Sequence, residues 1–187
     1  MSRICRVTAV LLGVAMSVPQ AAERSSHDFE GHRFSLQLPP GYVLEAETSP
    51  RRGFKTFGFS AELRGDGTRG MIQVSLIDFS AAPAGETVSL EKFAAAMIGG
   101  VRQRRSRWEQ TEGDVQVDGV RAKRIEWAGS TDPGFGRPTV NMRGLMIVGI
   151  KKNLGFALHT QDVVAFTDTT LPACEQALKT FAMTLHR

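Results

Sequence analysis

The sequence predicts an α+β fold: a mainly antiparallel sheet covered by helices on more than one side. Three observations predict it. Residues 140–161, VNMRGLMIVGIKKNLGFALHTQ, hold two apolar runs, Met142–Ile150 and Leu154–Thr160, around a polar joint at Lys151, Lys152 and Asn153. Leu90, Phe93, Ala94, Met97, Ile98 and Val101 recur at steps of three and four, one apolar stripe of a helix. Leu171, Cys174, Leu178, Phe181 and Leu185 repeat that spacing at the end of the chain.

The first run supplies Leu145, Met146, Ile147, Val148 and Ile150 to both faces of a strand, so that strand is covered on both faces. In the second, Leu154, Phe156 and Leu158 alternate with Gly155, Ala157 and His159. The two form a central hairpin, with Asn153 and Gly155 tolerating the positive φ of a tight loop. A single helix over this stretch is disfavoured, because Gly144, Gly149 and Gly155 would each weaken it by roughly 1 kcal/mol.

The chain begins MSRICRVTAVLLGVAMSVPQAAE. Arg3 and Arg6 precede an apolar run, Val7–Val18, that ends at Pro19. The run is shorter than the roughly 20 residues a spanning helix needs. It fits a secretory signal peptide cleaved near Ala22, so residues 1–22 are expected to leave and 23–187 to form one α+β domain. Cys5 precedes the apolar run, so a lipid anchor is not indicated. Loss of Arg3 and Arg6 takes Lys+Arg from 23 to 21 against 19 Asp+Glu, leaving about +2. That balance asks for no nucleic-acid partner. Loss of Cys5 leaves Cys174 alone, so the core and not a disulfide must hold the fold. No second stretch is apolar and long enough to span a membrane.

Taken in order, residues 23–30 (ERSSHDFE) are polar and read as a mobile lead-in. His32–Leu38 alternates and stops at Pro39-Pro40-Gly41, a strand. Tyr42–Glu47 has no decided pattern, and Pro50–Gly53 is a loop. Phe57–Leu63 and Met71–Phe79 alternate around the glycine-rich Arg64–Gly70 and predict a hairpin. Ala81–Gly85 is a breaker. Ser89 is an N-cap candidate for the first helix, with Glu91 in its first turn. Gly99-Gly100 inside it suggests a bend or the close approach of a strand. Arg102, Arg104, Arg105 and Arg107 close the helix near its negative end. Trp108–Glu112 is a possible strand. Val115–Val117, Asp118-Gly119 and Val120–Trp127 form a hairpin signal with a type I′ turn. Ala128–Pro138 is a long glycine/proline loop, and Asp162–Thr170 an irregular link. Pro172 is placed in the first turn of the last helix.

Phe34–Tyr42, with its strand ending in proline-glycine-aromatic, Val115–Arg124 with its Asp-Gly turn, the apolar hairpin at 142–160 and the closing helix with Phe181 together resemble the exported PsbP/DcrB-like group. The resemblance covers most of residues 30–185. It implies an α/β/α sandwich, a central mainly antiparallel sheet of about six strands with helices on both faces. It also implies an accessory, assembly or binding role. It brings no functional residue to a position of this chain.

His27, His32, His159 and His186 lack metal-ligand spacing, there is no CxxC, and no cofactor is expected. Cys174 lies on an apolar stripe, where a cysteine is a small hydrophobe. No G-x-S-x-G is present. Arg64-Gly65-Asp66 spells an adhesion tripeptide, but Asp-Gly is also what a turn needs. Arg102, Arg104 and Arg105 are candidates for an acidic partner or a phosphate, against the reading of a solvated helix end. Arg51, Arg52 and Lys55 form a second basic patch. Phe135, between two glycines and beside Arg137, marks the long loop as the leading binding candidate. The sequence therefore favours an exported, non-catalytic domain of the periplasm or secreted space that binds an envelope protein or a small apolar ligand. The alternatives are a periplasmic hydrolase using His159 with an acidic partner, and a secretion-effector adaptor or immunity-type protein.

Overall fold

The computed structural model describes residues 24–80, 88–132, 134 and 138–185. Seven strands form one antiparallel sheet: β3 (Val43–Arg51), β4 (Phe54–Ser60), β5 (Met71–Asp78), β6 (Ser106–Val117), β7 (Val120–Thr131), β8 (Val140–Lys151) and β9 (Leu154–Val163). Their order across the sheet is β3-β4-β5-β9-β8-β7-β6. A second sheet of three strands, ordered β1-β2-β10, joins β1 (Arg24–Phe29), β2 (His32–Gln37) and β10 (Ala182–Thr184). Helix α1 (Leu90–Arg102) links β5 to β6, and α2 (Thr167–Lys179) follows β9 after a 3₁₀ turn at Val164–Phe166.

The expected central hairpin stands inside the large sheet, with β5 beside β9 and β7 beside β8. The register makes its two faces. Leu145 and Ile147 stand opposite Thr160 and Leu158, and Gly149 opposite Phe156. This side packs with Phe57, Phe59, Ile72, Val74 and Leu76, with Phe34 and Leu36 of β2, and with Cys174 and Leu178 of α2. Met146, Val148 and Ala157 point the other way and pack with Phe93, Ala94, Ile98 and Val101 of α1. Fully burying each such side chain contributes about 1.5–3 kcal/mol, which is why the doubly apolar run lies at the centre. The result is a mixed α+β domain with more strand than the expected six. On the α2 side the small sheet shares the cover, so a sheet between two helical layers describes it too simply.

Several boundaries differ from expectation. Residues 24–29 are a strand and not a mobile lead-in: the turn at Glu30-Gly31 folds them onto β2, and Phe29 enters the core. Val43–Arg51 forms the edge strand β3, which absorbs Pro50 and is exposed throughout. Strand β4 stops at Ser60 and leaves Leu63 exposed. Trp108–Glu112 joins Val115–Val117 in the single strand β6. Ala128–Thr131 belongs to β7, which shortens the following loop. Helix α2 begins at Thr167, so Pro172 lies inside it and not in the first turn. The helix ends at Lys179, and Phe181 leads into β10. Positive φ in the central hairpin falls on Lys152, not on Asn153 or Gly155.

The hairpin glycines have a packing reason. A Cβ on Gly149 would collide with the Phe156 ring, and one on Gly144 would stand 2.5 Å from Trp127 Cε2 and Cζ2. The two large rings thus lie flat over strand positions without side chains. Helix α1 starts as expected: Ser89 Oγ accepts from Lys92 N at 3.2 Å. Gly99 and Gly100 face open space, so no strand approaches them.

Candidate functional site

A cleft of about 570 Å³ lies between the first turns of α2 and the outer strands β6, β7 and β8. The strand pleat positions its floor. Glu109 and Thr111 of β6, Glu126 and Ala128 of β7, and Arg143 and Leu145 of β8 project to the side that α2 covers. Asp168, Leu171, Pro172 and Glu175 of α2 form the opposite wall. Pro172 supplies no N–H to the Asp168 carbonyl one turn earlier, so the helix wall carries a backbone acceptor without its usual donor.

Charge in the cleft is mixed and partly self-neutralised. Arg124 Nε and Nη2 donate to Glu175 Oε1 and Oε2 at 3.1 and 3.2 Å, and Arg124 Nη1 pairs with Glu126. The Arg124 hydrogen bonds hold the Glu175 carboxyl below its ordinary range against the opposing effect of burial, with Lys179 adding to the shift. Glu109, Asp168 and Arg143 make no ion pair among the described residues. Such a lining suits a polar, hydrogen-bonding partner better than a small apolar ligand.

The residues singled out in the sequence lie elsewhere. Phe135 and Arg137 fall outside the described residues; beside them, Asp132 Oδ1 accepts from Gly134 N at 2.9 Å. Arg102 is exposed at the end of α1, and Arg104 Nε donates to Gly100 O at 3.1 Å. Arg105 turns inward. Its guanidinium lies 5.4 Å from the Trp127 ring centroid, and Nη2 donates to Gln161 Oε1 at 3.0 Å. Its Nε is buried with no hydrogen-bond partner among the described residues. None of the three arginines lines the cleft. In the second basic patch, Lys55 pairs with Glu47 at 2.8 Å. With Arg51, Arg52 and the Glu30 turn it rims a smaller hollow of about 380 Å³.

His159 is buried, and its Nε2 accepts from Trp127 Nε1 at 3.3 Å. Burial, then the charges of Arg105 and Arg104, pushes its pKa down to about 3. The ring is therefore neutral, and no carboxylate contributes to that shift. Cys174 is buried, its Sγ donates to Tyr42 Oη at 3.2 Å, and burial pushes the thiol pKa up. Such a thiol is a poor nucleophile.

The Arg64-Gly65-Asp66 tripeptide is built into the fold. Arg64 Nη1 and Nη2 grip the buried Asp162 carboxylate at 2.9 and 2.5 Å, and its guanidinium sits 4.0 Å from the Phe166 ring centroid. Asp66 Oδ1 accepts from Thr68 N at 2.9 Å, an ordinary Asx turn. Sequence reasoning missed Asp162, Arg124 and Glu175, because each pairs across at least 51 positions and leaves no local pattern.

Among the described residues, no group of His, Cys, Asp and Glu is placed to hold a metal ion, and no helix is long and apolar enough to cross a membrane. No family model matches the chain, and no curated protein matches it in sequence. Solved structures do match. LpqN of Mycobacterium tuberculosis, a protein involved in cell envelope biogenesis, superposes with a TM-score of 0.55 at 13% identity, over 87% of this chain and 91% of LpqN. Cyanobacterial PsbP (CyanoP) from Synechocystis superposes with a TM-score of 0.57 at 14% identity, over 89% of this chain and 94% of CyanoP. At such identities the likeness is one of fold alone, and in fold the chain is PsbP/DcrB-like.

Proposed function

We propose that the protein is an exported, non-catalytic accessory protein of the cell envelope that docks a protein partner at the cleft between α2 and strands β6–β8. The observation that carries this is the cleft itself: a preformed wall-and-floor site, lined by hydrogen-bonding and charged groups, with Glu109, Asp168 and Arg143 left without ion partners. The fold neighbours support the setting, since LpqN is described as acting in envelope biogenesis. The signal-peptide reading of residues 1–22 supports export. The buried, neutral His159 and the buried Cys174 favour binding over hydrolysis.

The test is recovery of the protein from its native envelope at low salt, with mass spectrometry of what co-purifies. A stoichiometric partner is expected, and Leu171→Arg should release it. A clean, empty monomer would sink the reading and make a hydrolase screen with His159→Ala the next step. The rival candidates are the arginine end of α1 and, separately, the Phe135–Arg137 segment. Loss of the partner in Arg102→Glu or Phe135→Ala, with retention in the cleft variants, would move the site there.

A further inference from the structure

The two edges of the large sheet are built differently. Strand β3 is closed to further pairing: Pro50 lies in it, and its register against β4 is interrupted between Leu44 and Ala46 and again between Thr48 and Arg51. Both are devices that keep an edge from adding strands. Strand β6 has neither over most of its length. After the irregularity between Ser106 and Glu109, every residue from Glu109 to Val117 is in register with β7, without proline and without a bulge. No described strand lies on its outer side. In such a strand alternate residues direct N–H and C=O away from the sheet.

The chemistry of this edge is one-signed. From Glu109 to Val117 the only charged side chains are Glu109, Glu112 and Asp114. Asp114 is neutralised by Arg121 at 2.7 Å and Lys123 at 3.0 Å. Glu109 and Glu112 are exposed and have no cationic partner among the described residues. Glu109 and Thr111 also line the cleft, so the edge and the cleft are one continuous surface with Asp168 on its far wall. A second copy would bring an acidic edge against an acidic edge, which like-charge opposition disfavours. A basic strand meets the opposite case.

We propose that the partner contributes an extended, lysine- or arginine-bearing segment that adds to β6 as a further strand, its main chain bonding to Glu109–Val117. Its basic side chains on the α2 side reach Glu109 and Asp168 at the rim of the cleft. This rests on the cleft being the docking site and names the chemistry of what docks there. Main-chain pairing supplies affinity and the acidic groups supply selection, the division of labour of strand addition.

The test uses the purified protein and fluorescent peptides as long as Glu109–Val117, alternating valine or threonine with lysine. A matched set replaces lysine with glutamate, and two others are N-methylated on one or the other alternate phase. The lysine peptide is expected to bind, the glutamate peptide not. One N-methylated phase should lose binding and the other keep it, because only one set of amides faces β6. Alternate amides of β6 should gain protection from hydrogen exchange. Combining Glu109→Lys with Asp168→Lys should weaken binding about tenfold, the scale of two exposed charge pairs, whereas Glu112→Lys, on the opposite face of β6, should not. Equal binding of both N-methylated phases, without β6 protection, would show charge adherence only and overturn strand addition. So would failure of the lysine peptide at millimolar concentration, or equal binding of the glutamate peptide. In those cases the docking reading still stands if Leu171→Arg releases the native partner, and falls with the inference if it does not.

Discussion

His159 is a histidine buried in the core, so its charge state bears directly on stability. The folded chain keeps it neutral, with a pKa pushed down to about 3 from 6.5 by burial and by Arg105 and Arg104. As pH falls through 6.5, the unfolded chain takes up a proton that the folded chain refuses, so stability is lost progressively toward pH 3. His27, half-buried among Phe34, Phe57 and Phe59, is lowered in the same direction by burial. Carboxylates held low by partners, such as Glu175, add their loss only below their ordinary value of 4.5. Urea unfolding should therefore show wild type losing roughly 2 kcal/mol between about pH 7 and pH 5. His159→Gln, which keeps an acceptor for Trp127 Nε1, should flatten most of that slope. An unchanged slope would place the ring in solvent. Phe156→Ala should cost about 3–5 kcal/mol, since the ring is fully buried over Gly149 and against Phe181; near-wild-type unfolding would contradict the packing.

The elements differ in how much of each was legible. The Asp118-Gly119 turn was legible because positive φ at both positions is a local demand, and the structure gives 52° and 75° there. Gly119→Val should lose about 1–3 kcal/mol in thermal or urea unfolding, and a fully stable variant would count against the turn. Helix α1 was legible from its stripe and its Ser89 cap, but the role of Gly99-Gly100 was not. With open space around both, Gly100→Ala should stabilise the helix by about 0.5–1 kcal/mol. A destabilised Gly100→Ala would mean that something packs there. The closing helix misled by its period: Phe181 and Leu185 continue the apolar spacing of α2, but Thr180 ends the helix and Ala182–Thr184 pair with β2. Apolar spacing shows which residues seek the core; it does not show where the backbone changes form.

At the scale of the whole molecule, the small sheet is fastened to the large one through Asp118. Its Oδ2 accepts from Lys151 Nζ at 2.6 Å and from Met183 N at 2.9 Å, while Lys151 Nζ also donates to Met183 O at 2.8 Å. One turn residue thus joins the β6–β7 hairpin, the end of β8 and β10. Asp118→Ala should remove about 1.5–3 kcal/mol of charge-assisted bonding. The loss should be local: amide exchange should quicken in Phe181–Thr184 while β8 and β9 stay protected, and uniform protection across both sheets would refute the fastening.

By itself the sequence determined the α+β class, the doubly apolar central hairpin, the Asp-Gly turn and the amphipathic first helix, because period, turn chemistry and capping are properties of neighbouring residues. It also carried the PsbP/DcrB-like resemblance that the fold comparison supports. Only the tertiary structure decided the rest. The strand Arg24–Phe29, the Arg64–Asp162 and Arg124–Glu175 pairs and the cleft beside α2 all depend on residues far apart in the chain. The arginines that cluster in sequence after α1 diverge in space for the same reason: the sheet draws Arg105 onto Trp127 and leaves Arg102 to solvent. A surface site is a meeting of distant segments, and no local pattern records which segments meet.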